Sequence, residues 1–330
     1  MLEHGGRLRA AATRHGILLA DWLDLSTGIN PQGWPVPALP ASVWNRLPED
    51  DDGLEAAAAA YYGNDQLLPL AGSQAAIQML PALFPHAAIA CLGPLYAEHP
   101  HAWQQAGHKL RQLNHATLTR ALSAVTPYVL CCHPNNPTAV TQSREGLLEA
   151  AAQLQKRGGW LFVDEAFVDC TPELSVTPEA ASAAAPNLIV FRSLGKFFGL
   201  AGARVGFLFA PEEIRHKLRE ALGPWAISGP AREVARLALA DHAWQSATRP
   251  RLRAAGERLA ELLGRCGEVR HTPLFATLSS ERAGELADFL AARGILVRNF
   301  PEQALLRCGL PADEAGWQRL TAALTAWQTS

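Results

Sequence analysis

Between Ser193 and Gly206 the chain reads Ser193-Leu194-Gly195-Lys196-Phe197-Phe198-Gly199-Leu200-Ala201-Gly202-Ala203-Arg204-Val205-Gly206, close behind the apolar run Leu188-Ile189-Val190-Phe191. A lysine just past the end of a strand lies where an open α/β sheet binds its ligands. The guanidinium fork of Arg204 suits a phosphate dianion, which it can grip through paired, charge-assisted hydrogen bonds. Standing alone, Lys196 would read as a solvated loop lysine. Nucleotide-binding motifs do not fit the spacing. A P-loop needs glycine five residues before Gly195 and Ser or Thr after Lys196, where the chain has Val190 and Phe197, and Gly199, Gly202 and Gly206 do not make a dinucleotide fingerprint.

Other strand ends carry polar groups too. Gly159-Trp160-Leu161-Phe162-Val163-Asp164 is a strand closing on an acid, which by itself could equally be a helix cap or a turn aspartate. After Tyr128-Val129-Leu130-Cys131-Cys132 come His133-Pro134-Asn135-Asn136-Pro137-Thr138, and Asn-Pro alone is an ordinary turn. Ala71-Gly72-Ser73-Gln74 opens a helix, so the N–H groups of Ser73 and Gln74 can receive a phosphate at its positive end or simply be capped. Tyr96 ends the loop Gly93-Pro94-Leu95-Tyr96.

The elements that must position these groups alternate. From Leu67 to Ala210 the apolar runs LLPLA, AAIACL, KLRQL, YVLCC, WLFVD, LIVF and VGFLFA are separated by helix-like stretches, among them SQAAIQMLPALF and REGLLEAAAQLQKRG. Such alternation predicts an α/β fold, a mainly parallel sheet with helices on both faces. Beyond Pro211 the pattern predicts long helices over about 230–264. A mixed segment with FATLSS, ILVRNF and LLRCG and a last helix to Trp327 follow, together a second, smaller α/β domain. The expected division is 1–45 as an arm joining the small domain, 46–225 as the large domain and 226–330 as the small one. A chain of 330 residues with 18% charged residues and a net charge of −2 does not call for nucleic acid or a membrane surface. Cys91, Cys131, Cys132, Cys170, Cys266 and Cys308 have neither metal nor disulfide spacing and read as small apolar residues, so no metal is expected. Without a secretory leader or an apolar span, a soluble, cytoplasmic protein is expected.

Taken in order, these segments resemble the fold-type I pyridoxal-phosphate enzymes, the class I/II aminotransferase superfamily, over most of the chain. The resemblance implies pyridoxal 5'-phosphate carried by Lys196 as a Schiff base. It implies Ser193 and Arg204, with Ser73 and Gln74, on the cofactor phosphate. Asp164 pairs with the pyridinium nitrogen, Asn136 contacts the ring oxygen and Tyr96 stacks on the ring. Three departures stand out: Phe167 where aminotransferases often have tyrosine, Ala139 where the turn usually has glycine, and Leu47-Pro48-Glu49 where a tyrosine often reaches across a dimer interface. A homodimer is expected from the resemblance alone.

Within that superfamily two branches are near, the histidinol-phosphate aminotransferases and the threonine-phosphate decarboxylases of cobalamin synthesis. His4-Gly5-Gly6 and Leu23-Asp24-Leu25-Ser26-Thr27-Gly28-Ile29-Asn30-Pro31 resemble the decarboxylases' N-terminal segments. His4, Gly5 and Asn30 thereby become candidates for substrate phosphate or carboxylate. Arg298 in Ile295-Leu296-Val297-Arg298 and Arg307 in Leu305-Leu306-Arg307 resemble the small-domain arginines that take a distal phosphate and the α-carboxylate. The expected reaction is decarboxylation of L-threonine O-3-phosphate, with amino transfer as the alternative and a non-catalytic binding protein as a third reading. Intact Lys196, Asp164 and Arg204 argue against the last.

Overall fold

The apolar runs between Leu67 and Phe209 become strands of one sheet because they are rich in residues that fill both faces of a pleat. In the computed structural model, which describes residues 4–114, 117–123 and 125–329, a short β1 (Leu23–Asp24) comes first. The central sheet then takes β2 (Leu67–Leu70), β3 (Ala88–Gly93), β4 (Lys109–Asn114), β5 (Tyr128–Cys132), β6 (Trp160–Asp164), β7 (Leu188–Ser193) and β8 (Gly206–Phe209) in the order β2-β8-β7-β6-β5-β3-β4. From β4 through β7 neighbours run parallel, while β8 is antiparallel to both β7 and β2. All residues of β2, β5 and β8 are buried, whereas β4, at the edge, alternates between exposed and half-buried. That edge position explains how a run as polar as Lys109-Leu110-Arg111-Gln112-Leu113 is a strand. The strand order reverses between β3 and β5, and at such a switch the loops diverge and leave a crevice.

The chain forms two compact units. The large unit holds residues 34–136 and 141–246; the small unit holds the chain up to Gly33, Pro137–Val140 and the chain from Ala247 on. The boundaries lie at 33/34 and 246/247 instead of the expected 45/46 and 225/226. Trp34 belongs with the large unit because its backbone N–H donates to Phe198 O and its indole Nε1 to Asp241. Residues after 226 belong there because the helix Gly229–Ala240 sends Arg232 to Asp52 (2.6 Å) and Glu55 (2.9 Å) beside the helix Leu54–Tyr62. The long helices expected over 230–264 are two, Gly229–Ala240 and His242–Leu263. Asp241 separates them and caps the second by accepting from Trp244 N.

In the small unit β9 (Glu268–Thr272), β10 (Phe275–Ser279), β12 (Arg298–Phe300) and β13 (Leu305–Gly309) form an antiparallel sheet ordered β12-β13-β10-β9, while β1 pairs in parallel with β11 (Ile295–Leu296). The N-terminal arm therefore joins this unit through a strand, and it contains a helix, Leu8–His15, as well as extended chain. Five of the cysteines, Cys91, Cys131, Cys132, Cys170 and Cys308, are buried as apolar residues are, and Cys266 is partly so. Among the described residues no helix is long and apolar enough to cross a membrane.

Candidate active site

Loops at the carboxyl ends of β3, β5, β6 and β7, with the start of the helix Ser73–Met79, enclose a cavity of about 130 Å³ in the large unit. Every residue expected on the cofactor lines it: Ser73, Gln74, Tyr96, Asn136, Asp164, Ser193, Lys196 and Arg204. Cys132, Ala166 and Phe167 complete the wall. The first N–H groups of a helix have no acceptor within it, and here they point from the residues after Gly72. A side chain at Gly72 would put Cβ 2.6 Å from Arg204 Nη2, and one at Gly206 would put it 2.4 Å from Ser73 N. Both glycines thus let the guanidinium and the helix start come together. Arg204 itself has φ 54°, a left-handed conformation that turns the chain after the segment Ala201–Ala203. Ala139 has φ 59°, so the turn after Asn136 keeps a conformation suited to glycine although alanine occupies it.

At the opposite end Asp164 is buried, its Oδ1 accepting from Ala166 N and its Oδ2 lying 2.8 Å from His99 Nε2. The sequence reading missed His99. The available signal was its place with Ala102 and Trp103 on the buried face of the helix Glu98–Gln105. Tyr96 donates to Gln74 Oε1, and Gln74 donates in turn to Glu98. Burial, reinforced by the nearby Glu98 and Asp164, pushes the Tyr96 phenol up to about 12. His99, Cys132 and Asp164 offer ligand atoms within 4.8 Å of one another. A cation there would have to break the His99–Asp164 hydrogen bond and ionise Cys132, whose thiol burial holds well above its ordinary range.

Behind the cavity lies a second group that sequence reasoning missed. Arg192, just before Ser193, is buried between Glu165, just after Asp164, and Asp169. Glu165 also accepts from Ser175 Oγ, Val176 N and Thr177 Oγ1, and Tyr61 donates to Asp169. The guanidinium lies 4.5 Å from the Tyr62 ring centroid. This network ties the ends of β6 and β7 together and so fixes the spacing between Asp164 and the Lys196 loop.

The residues expected on the substrate all fall in the small unit. His4, Gly5 and Arg298 line one groove of about 380 Å³, with Arg7 and Ser26. A Cβ at Gly5 would stand 2.3 Å from Ser26 O, so only glycine allows the arm to lie there. Gly6 N donates to Ser26 Oγ, and Arg307 Nη2 donates to Ser26 O (2.8 Å). Asn30 is buried away from that groove, its Oδ1 accepting from Gln32 N and Arg251 Nη2. Arg298 and Arg307 are direct cross-strand partners in β12 and β13, so two cations share one face of the sheet.

The model of the family described as aminotransferase class I and II matches residues 36–328. The chain belongs to the aminotransferase class I and II family. It is 53% identical to a threonine-phosphate decarboxylase of Pseudomonas aeruginosa, over 99% of this chain and 98% of that one. It is 41% identical to a threonine-phosphate decarboxylase of a Sinorhizobium species, over 98% and 97%. Among solved structures, histidinol-phosphate aminotransferase from Sinorhizobium meliloti in complex with pyridoxal-5'-phosphate superposes with a TM-score of 0.86 at 21% identity, covering 98% of this chain and 95% of that one. That likeness shows the fold, a large mainly parallel sheet domain with a smaller α/β domain. As an aminotransferase-family enzyme the chain depends on pyridoxal phosphate, and its cavity fits that group. The cradle around Gly72 and Gly206 brings hydroxyl, N–H and guanidinium donors together at one end for a phosphate. The same cavity is lined by the carboxylate of Asp164, oriented by His99, and by Lys196, an acid and an amine suited to the ring nitrogen and the aldehyde of that group.

Proposed function

We propose that the protein is a pyridoxal-phosphate-dependent lyase that decarboxylates L-threonine O-3-phosphate to (R)-1-amino-2-propanol O-2-phosphate, a step of cobalamin biosynthesis. The identity to two decarboxylases along nearly the whole chain supports the reading. The observation of the structure that carries it is the cross-strand pair Arg298 and Arg307. Like charges facing each other across a sheet destabilise it, and a substrate bearing both a carboxylate and a phosphate is the ligand that relieves such a pair.

Ser73, Gln74, Ser193 and Arg204 would hold the cofactor phosphate, and Tyr96 and Asn136 would contact the rest of that group. His99 fixes the carboxylate of Asp164, which keeps the ring nitrogen protonated. When bound, pyridoxal phosphate supplies an electron sink for the pair left as a bond at Cα breaks. Arg307 would take the substrate carboxylate, and Arg298, with His4 and Gly5 in the same groove, its phosphate; Asn30, held by Gln32 and Arg251, would shape the arm instead of touching the substrate. Two cations on one sheet face would hold both anionic ends of one substrate and so would limit its rotation about Cα, the coordinate that selects which bond at Cα breaks. Lys196 then donates a proton to Cα from its ammonium. The cofactor is thus the charge of the large unit, and the substrate's anionic ends are the charge of the small unit and its N-terminal arm.

We place the enzyme in the cytoplasm as a homodimer acting on a small phosphorylated amino acid, without nucleic acid or membrane. Exposed Trp44, Leu47 and Trp225 on the large unit support a second copy as the partner, and light scattering of the purified protein tests it. For the reaction, the cofactor-loaded protein is mixed with L-threonine O-3-phosphate and no 2-oxoacid. Carbon dioxide release over many turnovers, lost in Lys196→Ala, is expected. No release, with amino transfer once histidinol phosphate and 2-oxoglutarate are added, would turn the assignment to a transaminase.

A further inference from the structure

Beyond Asp164 the chain turns through Glu165 and Ala166, and Phe167 then closes the cavity wall, 5% exposed. Its ring centroid lies 5.4 Å from Lys196 Nζ. The face of an aromatic ring attracts a cation but offers no site for a proton, so it stabilises the ammonium form of a lysine and leaves the amine form unaided. The other charged or titratable groups lining this cavity are Asp164, Arg204, Tyr96 and Cys132. Asp164 favours the ammonium and Arg204 opposes it. Tyr96 and Cys132 stay neutral, because burial pushes both well up. These neighbours are the same whatever occupies position 167.

The two reactions open to such a site use Lys196 in opposite states. In decarboxylation the bond from Cα to the carboxylate breaks, carbon dioxide leaves, the electron pair remains on the Cα side and Cα takes up one proton. Each turnover therefore consumes a proton, which the Lys196 ammonium delivers and regains from solvent. In amino transfer the bond from Cα to hydrogen breaks first, and Lys196 must be an amine to accept that proton. We propose that Phe167 is a positioning residue for reaction type: its ring face holds Lys196 as an ammonium and so suppresses proton removal from Cα. This rests on the decarboxylase reading of the site.

Phe167→Leu removes the ring face, and replacement of Phe167 by pentafluorophenylalanine keeps the shape but reverses the ring's quadrupole. In the holoenzyme, the pH midpoint of the long-wavelength absorbance of the lysine-linked cofactor is expected to fall by about one unit in both variants. With L-threonine O-3-phosphate, the fraction of turnovers that leave the cofactor aminated is expected to rise about tenfold. A midpoint that moves in Phe167→Leu alone would assign the effect to shape and overturn the proposal. An unmoved midpoint in both would overturn it as well, as would a lowered midpoint with an unchanged aminated fraction. The fluorinated protein, which keeps a planar six-membered ring at the position and leaves no cavity, guards against a folding defect in the leucine variant. Wild-type enzyme that releases no carbon dioxide would defeat the decarboxylase reading and the control of reaction type with it, while the midpoints still judge the ring–lysine pair alone.

Discussion

The large and small units treat buried charge in opposite ways. At the ends of β6 and β7 buried charges meet complements inside the protein: Asp164 with His99, and Arg192 between Glu165 and Asp169. On the small sheet Arg298 faces Arg307 across the strands, like charge against like. The first arrangement is complete before any small molecule arrives, so it can hold the loops of β6 and β7 rigid. In the proposed function the second is the substrate surface, where the anionic ends of one ligand would meet two cations on one face. The proposed function thus assigns rigidity and recognition to different units.

That contrast can be broken most forcefully at Arg192. Arg192→Leu leaves the carboxylates of Glu165 and Asp169 buried without their cation, and a loss of about 3–5 kcal/mol in unfolding free energy is expected by denaturant titration. Retention of full stability would show that the network is not what ties the strand ends. At the small sheet the expected loss is in binding. Arg298→Gln should raise KM for the phosphorylated substrate by roughly 10- to 100-fold, as a charge-assisted contact is lost. Ligand-free stability should be unchanged or rise by a few tenths of a kcal/mol. A fall of several kcal/mol there would erase the difference between the units.

A smaller, pH-dependent effect comes from His133, buried beside β5, whose imidazole burial holds below its ordinary 6.5. The unfolded chain binds the proton more readily than the folded one, so the native state should lose stability as pH falls from 6.5 through the depressed folded value, and then level off. His133→Asn should flatten that part of the stability profile. The smallest change is expected at Ala139. Ala139→Gly relieves a left-handed alanine but loosens the unfolded chain, two terms of about 0.5–2 kcal/mol each that largely offset, so thermal unfolding should shift upward by only a degree or two.

Much of the cofactor site was legible because its residues are local to strand ends. Lys196, Asp164, Asn136 and Ser73 each follow an apolar run closely, and a parallel sheet must bring the carboxyl ends of its strands to one edge. The strands themselves were legible for the same reason, even edge strand β4, while β9, with Glu268, Arg270 and His271 among its residues, carries no apolar run and was missed. His99 and Arg192 were hidden because nothing in their own segments marks a buried partner: a histidine on a helix's apolar face and an arginine at a strand end look like core and surface until the fold supplies Asp164 and Glu165. Asn30 was grouped with His4 and Gly5 by the resemblance of the segment Leu23–Pro31 to the decarboxylases, and the fold turns its Oδ1 toward Gln32 and Arg251.

Amino-acid order alone determined the alternation of strands and helices, the glycine positions that let Arg204 and the helix at Ser73 approach, and the lysine, acid and arginine that line the cavity. Those are consequences of local spacing and of side-chain type. Only the tertiary structure decided which charges are paired and which are opposed. It gave Asp164 its histidine, enclosed Arg192 between carboxylates, set Arg298 against Arg307 through the register of β12 and β13, and laid Phe167 against Lys196. The reason is distance: electrostatic and ring contacts act over a few ångströms between residues remote in the chain, and only folding fixes those separations.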